Sequence, residues 1–145
     1  MRIAIVGTGY VGLVSAACFS EFGITTIAVD KDASKIERLQ QGEIPIYEPG
    51  LDDLVAKNVR AGRLSFTTDL KFAVAGADAV FIAVGSPSRR GDGHADLSFV
   101  YQAAEEIADA LTGYAVVATK STVPVGTCRE VERIIRRRRP DAQFD

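Results

Sequence analysis

Six residues near the start of the chain, Gly7-Thr8-Gly9-Tyr10-Val11-Gly12, have the types and spacing to hold a pyrophosphate. The three glycines do different work. Gly7 allows a tight turn at the end of a strand, Gly9 lets the backbone approach the anion, and Gly12 lets the next helix pack closely on the strand. The first amides of that helix have no partner within it, and the positive end of its dipole favours the negative charge. Asp30 lies eighteen residues past Gly12, where a carboxylate can accept from both hydroxyls of a ribose. The same carboxylate repels a 2′-phosphate, so the expected cofactor is NAD rather than NADP, with Lys31 beside it softening that preference. At the tip of a strand, Asp30 is expected to serve the ligand and to contribute little to stability.

The elements that must position these residues alternate along the chain. Apolar runs at residues 2–6, 25–29, 64–67, 79–83 and 115–118 read as strands covered on both faces, and residues 143–145 open a sixth. Helical patterns occupy residues 10–22, 33–40, 51–59, 70–75, 97–110 and 126–138, with Asp96 able to accept from a first-turn amide of the fifth. This alternation predicts an α/β chain, a Rossmann-type doubly wound parallel sheet with helices on both faces, in the order 3-2-1-4-5-6, truncated at the start of the sixth strand.

Composition bounds the class. The 145 residues suit one domain, 47% hydrophobic and 25% charged residues are globular, and a net charge of −2 gives no reason to expect nucleic acid or a membrane surface. No apolar run reaches membrane-spanning length and no leader pattern precedes the first strand, so the expected location is the cytoplasm. Cys18 and Cys128 match neither a disulfide framework nor a metal site, and Cys18, among Ala16, Ala17 and Phe19, reads as a buried inert thiol. No metal is expected. The run from Arg136 to Arg139 reads as the solvated end of a helix, and the single histidine, His94, as an exposed loop residue.

In a doubly wound sheet, ligands bind beyond the carboxyl ends of the strands, near the reversal of strand order. The loops after the fourth and fifth strands, Val84-Gly85-Ser86-Pro87-Ser88 and Lys120-Ser121-Thr122-Val123-Pro124-Val125-Gly126-Thr127, should converge there. Their small and hydroxylated residues suit ordinary turns with a helix cap, and equally suit close cofactor contact; their placement beside the glycine turn favours the second. A third segment, from Gly42 to Leu51, contains Pro45 and Pro49 and should run extended, with no chemistry assigned to it.

Taken in order, Gly7-Thr8-Gly9-Tyr10-Val11-Gly12, Asp30 with Lys35, Ile46-Tyr47-Glu48-Pro49-Gly50-Leu51, Val84-Gly85-Ser86-Pro87-Ser88, Ala95-Asp96-Leu97-Ser98 and Lys120-Ser121-Thr122-Val123-Pro124-Val125-Gly126-Thr127 resemble the amino-terminal domain of the UDP-glucose 6-dehydrogenase family over essentially all 145 residues. GDP-mannose and other nucleotide-sugar 6-dehydrogenases share much of the pattern. The resemblance implies NAD as cofactor, a UDP-sugar as substrate, and oxidation of the sugar's C6 alcohol to a carboxylate by two NAD⁺ through a cysteine thioester.

It further implies that Val11 and neighbouring amides meet the pyrophosphate, that Asp30 and Lys35 hold the adenosine ribose, and that Val84 to Ser88 and Ser121 to Val123 line the rest of the site. Ser86 stands where many relatives have threonine. Thr122 takes the place of a threonine that positions water near the reacting carbon; its alternative is to cap the following helix. The family's glutamate motif, central dimer helix and carboxyl-terminal domain with its cysteine nucleophile have no counterpart in these residues. The expected fragment therefore binds NAD without turnover. A free-standing dinucleotide-sensing module is the rival from another class, and FAD or S-adenosylmethionine are the rival ligands.

Overall fold

The computed structural model describes residues 1–145. Five apolar, β-branched-rich runs form β1 (Arg2–Val6), β2 (Thr25–Val29), β3 (Leu64–Thr67), β4 (Ala79–Ile82) and β5 (Val116–Thr119). They pair in parallel in the order β3-β2-β1-β4-β5. Between them run α1 (Tyr10–Glu21), α2 (Ala33–Gln40), α3 (Leu51–Arg60), α4 (Leu70–Val74), α5 (Ser98–Ala110) and α6 (Thr127–Arg138). Element ends lie within a residue or two of those expected.

Successive strand residues point to opposite faces, and both faces are covered. Ile3 and Ile5 join Leu64 and Phe66 in a core closed by Leu13, Ala16 and Ala17 of α1, Ile36 and Leu39 of α2, and Leu51 and Val55 of α3. Ala4 and Val6 turn the other way, joining Ile27, Val29, Val80 and Ile82 beneath Val74 of α4, Val100, Ala104 and Ile107 of α5, and Val131, Ile134 and Ile135 of α6. The sheet is therefore doubly wound, as the continuous apolar runs imply.

Strand order reverses about β1, which pairs with β2 on one side and β4 on the other. The registers Val6↔Val29 and Val6↔Ile82 bring the carboxyl ends of the three strands level. The chain leaving β1 must turn at once into α1, and two glycines make room for it. Gly7 has φ +107°, and a Cβ there would lie 2.6 Å from the carbonyl oxygen of Ala83. A Cβ on Gly12 would lie 1.9 Å from the carbonyl oxygen of Gly7, so α1 seats directly against the turn that precedes it.

Four expectations need correction or refinement. Residues 143–145 supply a parallel bridge, Ala115↔Phe144, beside β5 rather than a strand, although they take the sixth position in the order. Cys18 is exposed; each helical residue turns by about 100°, and one step past the buried Ala17 carries Cys18 to the outer face of α1. The arginine run does close α6 with Arg136 to Arg138 exposed, as expected, but it is also paired: Arg138 grips both carboxylate oxygens of Asp109 at 2.8 and 2.7 Å. Arg139 donates to the carbonyls of Ala108 and Leu111, and Arg136 lies 4.7 Å from the Phe144 ring centroid. These bonds tie the end of α6 to the end of α5. Finally, the segment after α2 does not run extended: it folds into turns, with the Leu51 amide donating to Glu48 O at 3.1 Å, and lays Ile44 and Ile46 against the core under α1–α3. Asp96 does accept from the amide and hydroxyl of Ser98, at 3.0 and 2.7 Å.

The close contact at Gly12 can be tested directly. Gly12→Ala forces backbone apart and should lower stability by at least about 2 kcal/mol in urea denaturation. At Gly113 a Cβ would meet nothing within 4 Å and φ is not positive, so Gly113→Ala should be neutral or slightly stabilising.

Candidate functional site

A cleft of about 690 Å³ opens beyond the carboxyl ends of β1, β2 and β4. Its floor is the glycine turn. Leu13 is the first residue of α1 whose amide bonds within the helix, to Gly9 O at 2.9 Å, and no side chain caps the helix start. The amides of Tyr10, Val11 and Gly12 thus lack an intrahelical acceptor. A Cβ on Gly9 would meet nothing within 4 Å, so the space beside Gly9, at the start of this turn, is open. Gly9 and Gly12 are small for opposite reasons: one keeps a volume free for a ligand, the other lets protein fill it.

Asp30 closes one end of the cleft and also holds the floor together. Its Oδ2 accepts from the Thr8 amide at 2.9 Å, the Thr8 hydroxyl at 2.8 Å and Lys35 Nζ at 3.4 Å. Its Oδ1 accepts from the Asp32 amide at 3.1 Å and retains capacity for a further donor such as a ribose hydroxyl. Thr8 is buried, so without Asp30 its amide and hydroxyl would lack this acceptor. Burial opposes ionisation of Asp30, but the hydrogen bonds from Asp32 and Thr8, aided by the charge of Lys35, outweigh it and hold the carboxyl below its usual range. Asp30 is therefore a structural tie as well as a candidate ligand contact, against the expectation that it contributes little to stability.

Of the residues expected at the site, Gly7, Gly9, Asp30, Lys35, Val84, Gly85 and Pro87 line the cleft together. Thr8 lies behind it and Gly12 beneath it. Tyr10 and Val11 are exposed on the first turn of α1. Ser86, Ser121 and Thr122 are brought together by bonds between their loops: Ser86 Oγ donates to Thr122 O at 2.7 Å, and Ser121 Oγ to Val84 O at 2.7 Å. These bonds fix the two loops side by side. Ser88 begins a small antiparallel bridge to Ala95, away from the cleft lining, and Val123 packs against the core under α4–α6. Thr122 does not cap α6: the cap position is Gly126, with no side-chain bond, and Thr127 Oγ1 donates to Pro124 O instead. His94 is exposed, as expected.

One wall of the cleft lies outside the expected site residues. Phe99, Gln102, Ala103 and Glu106 of α5 face the cleft, with Thr68 and Leu70 at its far side. The signal was a second stripe at i, i+3, i+4 and i+7 on α5, beside the fully buried stripe. Lys31, expected to soften the preference against a 2′-phosphate, instead reaches across to Glu106, with Nζ 2.5 Å from Oε1. The segment after α2 also reaches the first turn of α1, where the Tyr10 phenol donates to Glu48 Oε2 at 2.5 Å. That bond, together with the Glu48 charge, raises the phenol's pKa.

The Asp30 contacts predict a stability effect. Asp30→Ala leaves the buried Thr8 groups unpaired and should cost about 2–4 kcal/mol in urea denaturation. Because the Asp30 pKa is lowered on folding, its contribution is present above the ordinary value of 3.8 and is lost as pH falls below it. The gap in melting temperature between wild type and Asp30→Asn should therefore narrow between about pH 7 and about pH 3.

Comparison with known proteins identifies the family. The NAD binding domain of the UDP-glucose/GDP-mannose dehydrogenase family matches residues 1–145. The UDP-glucose 6-dehydrogenase of Rhizobium meliloti (strain 1021) is 66% identical over 142 residues, 98% of this chain and 32% of that protein. A UDP-glucose dehydrogenase from the hyperthermophilic archaeon Pyrobaculum islandicum superposes with a TM-score of 0.92 at 39% identity, over 99% of this chain and 34% of that one. The GDP-mannose dehydrogenase of Pseudomonas aeruginosa, solved as a ternary complex, superposes with a TM-score of 0.94 at 39% identity, over 100% of this chain and 35% of that one. The chain spans about a third of the length of the curated relatives it matches. With its glycine turn, strand-tip acid and doubly wound sheet all in place, the chain belongs to the UDP-glucose/GDP-mannose dehydrogenase family and comprises its NAD-binding domain.

Proposed function

We propose that residues 1–145 supply the cofactor site of a UDP-glucose 6-dehydrogenase, whose remaining domains hold the nucleotide sugar and the covalent nucleophile. The observation that carries this reading is the open space at Gly9, which lines a cleft ending at Asp30 and stands at the uncapped start of α1. A pyrophosphate fits the amides and the helix dipole; the adenosine ribose fits Asp30 Oδ1 and Lys35. The nicotinamide half then runs toward Val84, Gly85, Ser86, Pro87 and Ser88, against Ser121, Thr122 and Val123. When bound, NAD⁺ supplies the hydride acceptor for each of two successive oxidations of the sugar C6, from alcohol to aldehyde level and on to carboxylate.

The chain's own groups bind and orient. The bonds Ser86 Oγ to Thr122 O and Ser121 Oγ to Val84 O hold the two loops rigid where the reacting ring would lie. The Thr122 side chain does not cap α6, which supports a role for its hydroxyl in orienting water at the reacting carbon rather than in starting the helix. Neither Cys18 nor Cys128 lines the cleft, so neither is placed to form a thioester there. The relative from Rhizobium supports UDP-glucose over GDP-mannose as the sugar of the whole protein, in which subunit association is mediated by segments beyond these residues. No helix is long and apolar enough to cross a membrane, and two free cysteines suit a cytoplasmic setting.

Calorimetric titration of the 145-residue chain tests the reading. NAD⁺ should bind saturably, NADP⁺ more weakly and UDP-glucose not at all, and neither FAD nor S-adenosylmethionine should displace NAD⁺; UDP-glucose binding without NAD⁺ would overturn the proposal. Gly9→Val should fill the open space and abolish NAD⁺ binding while leaving the melting temperature within a few degrees of wild type. No NADH should form when the chain is mixed with NAD⁺ and UDP-glucose, because these residues are not expected to hold the nucleotide sugar against the cofactor.

A further inference from the structure

The cations nearest the ribose end of the cleft are Lys31 and Lys35, and each is already paired with a carboxylate. Lys35 Nζ lies 3.4 Å from Asp30 Oδ2. Lys31 Nζ lies 2.5 Å from Glu106 Oε1, spanning from the tip of β2 to α5. Asp32, the residue that caps α2 by accepting from the Lys35 amide, adds a third carboxylate to the same lining. The charges at this end are therefore three negative and two positive, with neither ammonium unpaired.

We infer that Glu106 is a specificity-determining residue for the cofactor, acting through Lys31. This rests on the NAD reading of the cleft. A carboxylate at Asp30 repels a 2′-phosphate directly, but Lys31, next in sequence and at the same strand tip, is by chemistry a phosphate-binding group. If Lys31 were free, it would offset that repulsion. Glu106 draws its ammonium across the cleft and spends its charge, so a 2′-phosphate must either meet a net negative surface or break the Lys31–Glu106 pair. NAD, with two free ribose hydroxyls, meets neither cost. Selectivity against NADP thus comes from two carboxylates on different elements: one repels the phosphate, and the other occupies the cation that would welcome it.

The test measures the ratio of dissociation constants for NADP⁺ and NAD⁺ by calorimetry on the 145-residue chain, with 2′,5′-ADP and 5′-AMP as a second pair of probes. Glu106→Gln should shift both ratios toward the 2′-phosphorylated ligand by roughly twofold to fivefold, the scale of an exposed charge pair. The shift should shrink as ionic strength rises from about 0.05 to about 0.5 M. It should also vanish in the double variant Lys31→Gln/Glu106→Gln, which a merely structural role for Glu106 would not require. Unchanged ratios in Glu106→Gln, or a shift that survives the double variant, would overturn the inference without touching the cofactor reading. A wild-type chain that binds neither NAD⁺ nor 5′-AMP would overturn the cofactor reading and this inference with it.

Discussion

The structure depends on how closely α1 can approach the turn that feeds it. The missing Cβ at Gly12 leaves 1.9 Å between where that atom would stand and the Gly7 carbonyl oxygen, and the missing Cβ at Gly7 does the same against Ala83. Were either glycine replaced by a larger residue, α1 would have to tilt or slide outward. Its amino terminus would then no longer point into the cleft between β1, β2 and β4, and the core beneath Leu13, Ala16 and Ala17 would open. The packing that stabilises this half of the domain and the geometry that presents amides to an anion are consequences of the same constraint.

Asp30 extends that coupling from packing to electrostatics. A carboxylate that only bound ribose could sit in solvent at its strand tip. This one is partly withdrawn from water and anchors the Thr8 amide and hydroxyl, so the glycine turn is fixed from β2 as well as from β1. The charge needed to recognise a ribose is held ready by bonds the fold makes in any case, an example of a binding group preorganised by its protein neighbours. Ser86 and Ser121 do the same on the other side of the cleft, where each hydroxyl satisfies a carbonyl of the opposite loop.

Much of this was legible in the amino acids. Strand positions followed from short apolar runs, because strands covered on both faces have no polar side to show. The glycine turn and Asp30 followed from spacing, because a turn, a close approach and a helix contact each exclude Cβ at a fixed offset. What was not legible depended on rotation and on distance in sequence. Cys18 read as buried because its neighbours are small and apolar, and only the angular position of one helical step put it outside. The arginines at 136–139 do end a helix in solvent, but their partners were hidden because Asp109, the Ala108 carbonyl and Phe144 lie on other elements. Gln102 and Glu106 went unnoticed because a polar stripe on a helix has the same pattern whether it faces water or a cleft.

The sequence by itself determined the fold class, the strand order and the chemistry of the floor of the site, since these rest on local sterics and on periodicities that a single segment carries. Only the tertiary structure decided which charges meet. That Asp30 is shared between Thr8 and Lys35, that Lys31 is taken by Glu106, and that Glu48 reaches Tyr10 are pairings between segments separated by 5 to 75 residues. No local pattern encodes such pairings, because their partners are chosen by where the sheet and helices deliver each side chain.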